Sequence, residues 1–591
     1  MAARARLIGI ATFLSLTCAS LSATVRYTVR LADPERHIVQ VSMEIPPGRD
    51  SHQLQLPVWN ALYQVRDFVQ FMDNISAKDP SGRPLPLTQI NQSRWFLRDA
   101  KRGARIDYQM YSDDPPPFGA ELTKQHAFFN LAQILVYADD SRGDAQEVDF
   151  QNLPQGWKIA TSLEENGSLY LAKSYDALVD APVEIGSFQE RDFTGSCGTY
   201  RVVIDAGDTG PIFDKILPPI KEIVNTASEW MNDCPFHSYT FIFHFTDSSG
   251  GGMEHAYSTA ITVPYSRIKD DLEGFAGITA HEFFHLWDVK RIRPQSLEPV
   301  DYTKENYSPA LWFSEGMDTT GADGIRLKAG LIDAPHYLDR LSQAITELEN
   351  RPAHLTQSVE QSSIDAWLEK YPYFGLPDRS ISYYNKGDLL GVLLDLKMRD
   401  ATHGRESLRT LFQWMNTHYA KQGKFFPDSD GVRDAAEQLT GADFHEFFAN
   451  YVSGVKEIPW DSFFAYVGLK VSTVEASFVH RGFDVVQKFD QPPTVVRVQP
   501  GSEAERAGLK PDDIIVSVNG TAAGRDVEQL IEALGPGTVL HLRIRRDGAP
   551  QELKWTLGAR KMTIYRLQDL PGVTSEQRAA RRSWLYLNSN N

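Results

Sequence analysis

The chain has 591 residues, of which 42% are hydrophobic and 23% charged, values that exclude wholesale disorder. A formal net charge of −17 leaves nothing to offset phosphate repulsion, so no nucleic-acid partner is expected. The length exceeds what one core normally holds and calls for two to four domains.

Residues 1–23 read as a signal peptide. Arg4 and Arg6 form a basic start, Leu7 to Leu16 an apolar stretch, and small residues lead to a cleavage point near Ala23. This stretch is too short to span a bilayer comfortably, and no later segment approaches twenty apolar residues. The expectation is therefore a periplasmic or secreted protein with no membrane span after cleavage. Two cysteines then remain, Cys197 and Cys234. They could pair in an oxidising compartment or stay as buried thiols, and the sequence leaves both open.

Residues 24–190 read as a β-rich N-terminal domain. Val25 to Leu31 and His37 to Met43 alternate, and Pro- and Gly-bearing turns interrupt at Pro46-Pro47-Gly48 and at Pro115 to Gly119. An antiparallel, sandwich-like arrangement is expected. Over residues 191–330 the period changes. A strand at Tyr200–Ile204, a helix from about Asp214 to Met231 and a strand at Tyr239–Phe245 lead to Ser248-Ser249-Gly250-Gly251-Gly252-Met253-Glu254-His255. Glycines such as Gly251 and Gly252 let a backbone pass close to a ligand. Taken alone, the stretch reads as a flexible loop with a solvated Glu254.

The strongest chemical signal follows in His281-Glu282-Phe283-Phe284-His285. On a helix, positions i and i+4 share a face, so both imidazoles can meet one metal ion while Glu282 leans over its water. This is the HExxH zinc-peptidase pattern, with the glutamate as general base. Such sites need a third protein ligand and keep a fourth position for water. Glu315, in the helical run Leu311 to Gly316, is the candidate. Asp318, one turn later, reads as a helix-surface aspartate, or alternatively as a group that orients a ligand histidine.

Residues 331–460 form a helical domain by apolar spacing, with helices at Leu338–Asn350, Ser362–Tyr371, Gly387–Arg399 and Ser407–Tyr419. Within it Tyr383-Tyr384-Asn385-Lys386-Gly387 opens a helix. A tyrosine hydroxyl there could donate to an oxyanion, or the rings could simply pack. Residues 465–560 follow the order of a PDZ domain. They carry Gly501-Ser502-Glu503-Ala504, Gly508-Leu509 and Asp512-Asp513-Ile514-Ile515, then a helix at Asp526–Leu534 capped by Gly535 and a turn at Asp547-Gly548. Arg481-Gly482-Phe483 sits where such domains form a carboxylate-binding loop. Residues 561–591 read as a polar, basic, poorly ordered tail.

Together these residues resemble the glycyl aminopeptidase family, family sixty-one of the metallopeptidases and a gluzincin group. The resemblance rests on Leu56-Pro57-Val58-Trp59 with Tyr63 to Phe68, on Asp180-Ala181-Pro182-Val183-Glu184-Ile185-Gly186, and on Gly251 to His255. It continues through the HExxH run to Pro294, Trp312 to Gly316, Tyr384 to Gly387 and the trailing PDZ domain. Two departures stand out. Asn60-Ala61-Leu62 replaces the usual Pro-Gly-Ser turn, and Thr319 and Thr320 stand where an aromatic is usual.

The resemblance implies a multidomain α+β fold. A thermolysin-like zinc peptidase domain would stand behind the β-sandwich-like N-terminal domain, with a helical domain closing the cleft and a PDZ domain last. It implies one Zn2+ per chain on His281, His285 and Glu315, with Glu282 as base and Tyr384 as oxyanion donor, Tyr383 being the neighbouring alternative. Glu254, beside Gly251 and Gly252, would bind the free α-amine of the substrate. The implied activity is an aminopeptidase that removes small residues, glycine or alanine, from peptides with a free N-terminus. A peptide or protein ligand is expected for the PDZ domain. Two other readings stand beside it: an endopeptidase with PDZ-recruited substrates, and a non-catalytic PDZ binding protein with a vestigial zinc site. Manganese or cobalt could replace zinc in vitro.

Overall fold

The computed structural model describes residues 24–587, except 61, 206–209, 247–249, 266–267, 269–270, 370–376, 487–491 and 525–526. The signal-like segment therefore lies outside the described residues, as do Ala61, Ser248, Ser249, the end of the helix expected to reach Tyr371, and Asp526.

Strands from Val25–Asp33 to Val183–Gly186 build one seven-stranded and two four-stranded sheets. Alternation decides which residues enter the core: Val25, Tyr27, Val29 and Leu31 are buried along the first strand. That strand pairs antiparallel with Ile38–Ile45 but parallel with Gln146–Gln151, so the sheet is mixed where an antiparallel one was expected. Alternation reports the buried face and says nothing about strand direction, which is why the parallel pair was not foreseen.

The next layer is a five-stranded sheet in the order Gln189–Gly195, Gly198–Asp205, Ser238–Thr246, Ser258–Pro264, Gly251–Glu254. Its three middle strands are parallel, and Gly251–Glu254 is an antiparallel edge. One face buries Tyr200, Phe241 and Phe243 in the same core as Ile220, Phe275 and Phe283 of the helices Gly210–Met231 and Leu272–Phe284. The other face packs Ile242 and Ala260 against Phe128 of the N-terminal domain. Cys197 and Cys234 are joined by a disulfide, with Cα atoms 5.2 Å apart. Helices Ala334–Glu349, Tyr383–Thr402, Leu408–His418 and Asp428–Thr440 follow. Among the described residues, no helix is long and apolar enough to cross a membrane.

The PDZ-like sheet runs Phe483–Val486, Thr494–Val498, Ile514–Val518, Val539–Arg546, Ala549–Thr556, and has its own core around Phe483, Val495, Ile515 and Leu540. Asp547 (φ 49°) and Gly548 (φ 80°) make its tight turn. The segment after Arg560 is not a tail. Gly558–Asp569 pairs along its whole length with Leu469–His480, and Ser575–Trp584 is a helix. Trp584 and Leu585 are buried in the central core. The basic residues that made this stretch look solvated tie it down: Arg581 donates to the carbonyls of Val467 (2.8 Å) and Gly468 (2.6 Å).

Candidate active site

The Leu272–Phe284 helix is capped by Asp271, whose carboxylate accepts from the Gly274 amide at 2.8 Å. Phe275, Phe283 and Phe284 are buried in the core and fix its rotation. His285 continues the helical backbone at the C-cap (φ −54°), so the His281 and His285 rings meet edge to face, 76° apart in plane, with their Nε2 atoms 3.1 Å apart. Glu315 comes from a short π-helical turn, Trp312–Met317, that runs into the Asp318–Ala329 helix. Its Oε2 lies 3.6 Å from His281 Nε2 and 3.5 Å from His285 Nε2. Ligand atoms about 2.0–2.1 Å from a tetrahedral zinc stand roughly 3.4 Å from one another. The three side chains therefore fit a single zinc ion.

Asp318 is the principal correction to the sequence reading. It is fully buried, with Oδ2 2.9 Å from His281 Nδ1 and Oδ1 3.3 Å from His285 Nδ1. Thr319 Oγ1 lies 3.3 Å from His281 Nδ1, and the carbonyl of Asp288 lies 3.2 Å from His285 Nδ1. Partners on the Nδ1 side turn both Nε2 atoms towards the metal position. Thr319, a departure from the family pattern, thus sits at the site. The i+3 spacing from Glu315 to Asp318 was the available signal, but a helix surface and a helix interface share it. Burial acts to lower His281, yet the Asp318 and Glu315 carboxylates hold it up at about 10. A cation at the Nε2 atoms would take the place of such protons.

Glu282 is 5% exposed, and its Oε2 has no hydrogen-bond partner. Burial raises its carboxyl to about 7, with Glu254 and Glu315 adding to the shift and the two imidazoles opposing it. Gly252 is what lets it approach: a Cβ there would lie 2.2 Å from Glu282 Cδ. At Gly251 a Cβ would meet the Phe118 ring of the N-terminal domain at 2.9 Å. The two glycines thus belong to an edge strand squeezed between layers, where a flexible loop was the alternative reading. Glu254 shares the Gly252 face of this strand by alternation, and ligand atoms of Glu254, Glu282 and His285 lie within 4.8 Å of one another.

Tyr384 reaches the site because two helices touch backbone to backbone. A Cβ on Gly316 would lie 2.5 Å from Gly387 Cα, and one on Gly387 would lie 2.3 Å from the Trp312 carbonyl oxygen. One turn before Gly387, Tyr384 places its ring 6.2 Å from that of His281. Burial and the Glu315 carboxylate hold its phenol well above the usual range. Tyr384 lines the cavity while Tyr383 packs into the core, which separates the two tyrosines left open by the sequence.

The N-terminal domain supplies the opposite wall with Trp59, Tyr63, Phe118 and Asp180. Burial acts against the Asp180 carboxylate, but Lys290 at 2.6 Å and His255 at 3.3 Å hold it well below its ordinary value. No local spacing marked this wall, because it belongs to another domain.

Residues 26–187 match the Peptidase M61 N-terminal domain, 274–390 the M61 glycyl aminopeptidase domain, and 494–546 a PDZ domain. Among solved structures, an aminopeptidase N family protein from Idiomarina loihiensis is 25% identical with a TM-score of 0.81, over 95% of this chain and 100% of that one. An M1 zinc metallopeptidase from Deinococcus radiodurans is 14% identical with a TM-score of 0.47, over 74% and 95%. Native yeast LTA4 hydrolase is 12% identical with a TM-score of 0.44, over 75% and 67%. No curated protein sequence matches the chain.

Proposed function

The chain belongs to the M61 glycyl aminopeptidase family, and on that premise we infer that it is an exported zinc aminopeptidase removing small N-terminal residues, glycine or alanine. The observation that carries this reading is the convergence of His281 Nε2, His285 Nε2 and Glu315 Oε2 within 3.1–3.6 Å, beside Glu282, Glu254 and Tyr384 at one cavity.

Zinc held by His281, His285 and Glu315, one ion per chain at this site, supplies Lewis acidity towards a peptide carbonyl and a water molecule. Glu282 takes the proton of the attacking water and passes it to the leaving amine. The Tyr384 hydroxyl donates to the oxygen of the tetrahedral carbon. Glu254 pairs with the substrate ammonium, so that the first peptide bond is the one presented, and the Gly251–Glu254 edge strand lies alongside. The preference for small side chains is supported by the rings of Trp59, Tyr63 and Phe118 that crowd the opposite wall. Export is supported by the signal-like segment 1–23 and by the Cys197–Cys234 disulfide, a bond typical of oxidising compartments. The PDZ domain is suited to taking an extended peptide or chain end by strand addition.

Hydrolysis of glycyl- and alanyl-arylamides beside their N-acetylated forms, with and without a chelator, tests the reading. Chelator-sensitive cleavage of the free-amine substrates alone is expected, and Glu254→Ala should remove the discrimination. Equal cleavage of blocked substrates would turn the assignment to an endopeptidase.

A further inference from the structure

A second group of imidazoles and carboxylates, with His126, Glu184 and His244 buried and Asp205 and Glu121 half-buried, lies where the N-terminal domain meets the five-stranded sheet. His126 and Glu184 come from paired strands of the N-terminal domain. Asp205 and His244 are direct partners on two strands of the sheet. His244 is in register with Thr262, and Thr262 with Gly251, whose missing side chain faces Phe118, whereas Gly252 faces Glu282. The cluster and the active site therefore lie on opposite faces of one sheet.

His126 Nδ1 is 3.0 Å from Glu184 Oε1 and 3.2 Å from Asp205 Oδ2. His244 Nε2 is 3.0 Å from Glu184 Oε2, and ligand atoms of His126, Glu184 and His244 all fall within 4.8 Å of one another. On its far side, His126 Nε2 is 3.0 Å from Glu121 Oε2. Three carboxylates thus converge on two imidazoles. Among the described residues, no lysine or arginine pairs with any of them. His244 Nδ1 is buried and has no hydrogen-bond partner. Three carboxylates with no lysine or arginine beside them, the Glu184 carboxylate fully buried, form an arrangement that favours a cation.

We propose that this cluster is a second metal site for one divalent transition-metal ion, with His126 Nδ1, His244 Nε2, Glu184 and Asp205 as ligands. Glu121 accepts the remaining N–H of His126, the usual carboxylate partner of a metal-bound imidazole. Two imidazoles select zinc, or cobalt as its surrogate, over magnesium or calcium. The two imidazoles each lie 3.0 Å from a different oxygen of Glu184, and one ligand atom from each of the three residues falls within 4.8 Å of the others, so a single ion can reach them with Glu184 bridging the pair. Two ligands from each domain make the ion a cross-link between them, and it holds in place the segment that carries Asp180 to the substrate cavity.

The test uses the full chain with His281→Ala and His285→Ala, which removes the active-site imidazoles and leaves this cluster untouched. Elemental analysis after dialysis should find two zinc ions per chain in the wild type and one in the double variant. Cobalt should give the visible absorption bands of a tetrahedral site in the double variant, and adding His244→Gln should abolish them. Zinc should also raise the melting temperature of the double variant, a reading that needs no further substitution. A double variant with no stoichiometric metal, no cobalt bands and no zinc-dependent shift overturns the proposal, as do bands that persist in the His244→Gln protein. None of these readouts depends on peptidase activity.

Discussion

Two clusters of the same chemistry, imidazole with carboxylate, sit on opposite faces of one five-stranded sheet, and they differ in what stands beside them. The His281 side chain is 17% exposed, and the active-site cluster lines a cavity together with the half-buried Tyr384. Exposure does not separate them, since it runs from 0% at Glu184 to 24% at Asp205 in the second cluster and from 1% at His285 to 17% at His281 in the first. Metal sites that react keep a position open, whereas sites that only hold structure are closed by protein ligands. Donor types alone therefore do not mark the reactive centre. What sets the proposed reactive centre apart is Glu282, with an unpaired oxygen beside the cavity, and the neighbouring Tyr384, and the second cluster has no counterpart to either among the described residues.

The sharpest way to break this contrast is Glu282→Gln. Loss of the base should lower kcat by about 10²–10⁴-fold while zinc content stays unchanged, read by arylamide kinetics with elemental analysis. Retained turnover would remove Glu282 from the mechanism. The same residue sets a pH expectation. A base must be deprotonated, so kcat/KM should rise as pH increases through its pKa. Burial, working against the charge of the two imidazoles, sets that pKa at about 7, and a bound cation takes over that opposing charge. The acidic limb of the wild-type profile should thus lie at about pH 7, and a limb well above it would contradict the assignment.

Next in size, Tyr384→Phe should lower kcat by about 10²–10³-fold with KM little changed, because the hydroxyl acts on the tetrahedral species more than on the substrate. An equal effect from Tyr383→Phe would undo the distinction drawn from the cavity. Asp318→Asn should act on affinity: zinc at the active site should bind about 10–100-fold more weakly in a chelator competition. If the two clusters are independent, metal retained by the double variant His281→Ala/His285→Ala should not respond to Asp318→Asn. Turnover should respond least to Cys197→Ser with Cys234→Ser. That pair should instead lower stability by about 2–4 kcal/mol in denaturant titrations.

Much of the candidate site was legible because its signals are local. An i, i+4 histidine pair with Glu282 between them faces one way on any helix, whatever surrounds it. The alternation of the N-terminal strands, the helical periodicity after residue 330 and the Asp547-Gly548 turn are local in the same sense. Gly252 and Gly387 were visible as residues, but their purpose was not. One makes room for the Glu282 carboxylate and the other for the Gly316 backbone, and both neighbours are distant in sequence.

What the sequence by itself determined was the kind of elements, the zinc-binding pattern and the presence of a PDZ module, since each follows from spacing within a few turns or strands. Only the tertiary structure decided that Asp318 lies beneath both histidines, that Tyr384 and not Tyr383 lines the cavity, and that Cys197 meets Cys234. It also decided that the last segment closes a ribbon and buries Trp584. The cluster of His126, Glu184, Asp205 and His244 belongs to this second class. Its members come from four strands in two domains, and burial and charge balance become properties of such a group only once packing brings it together.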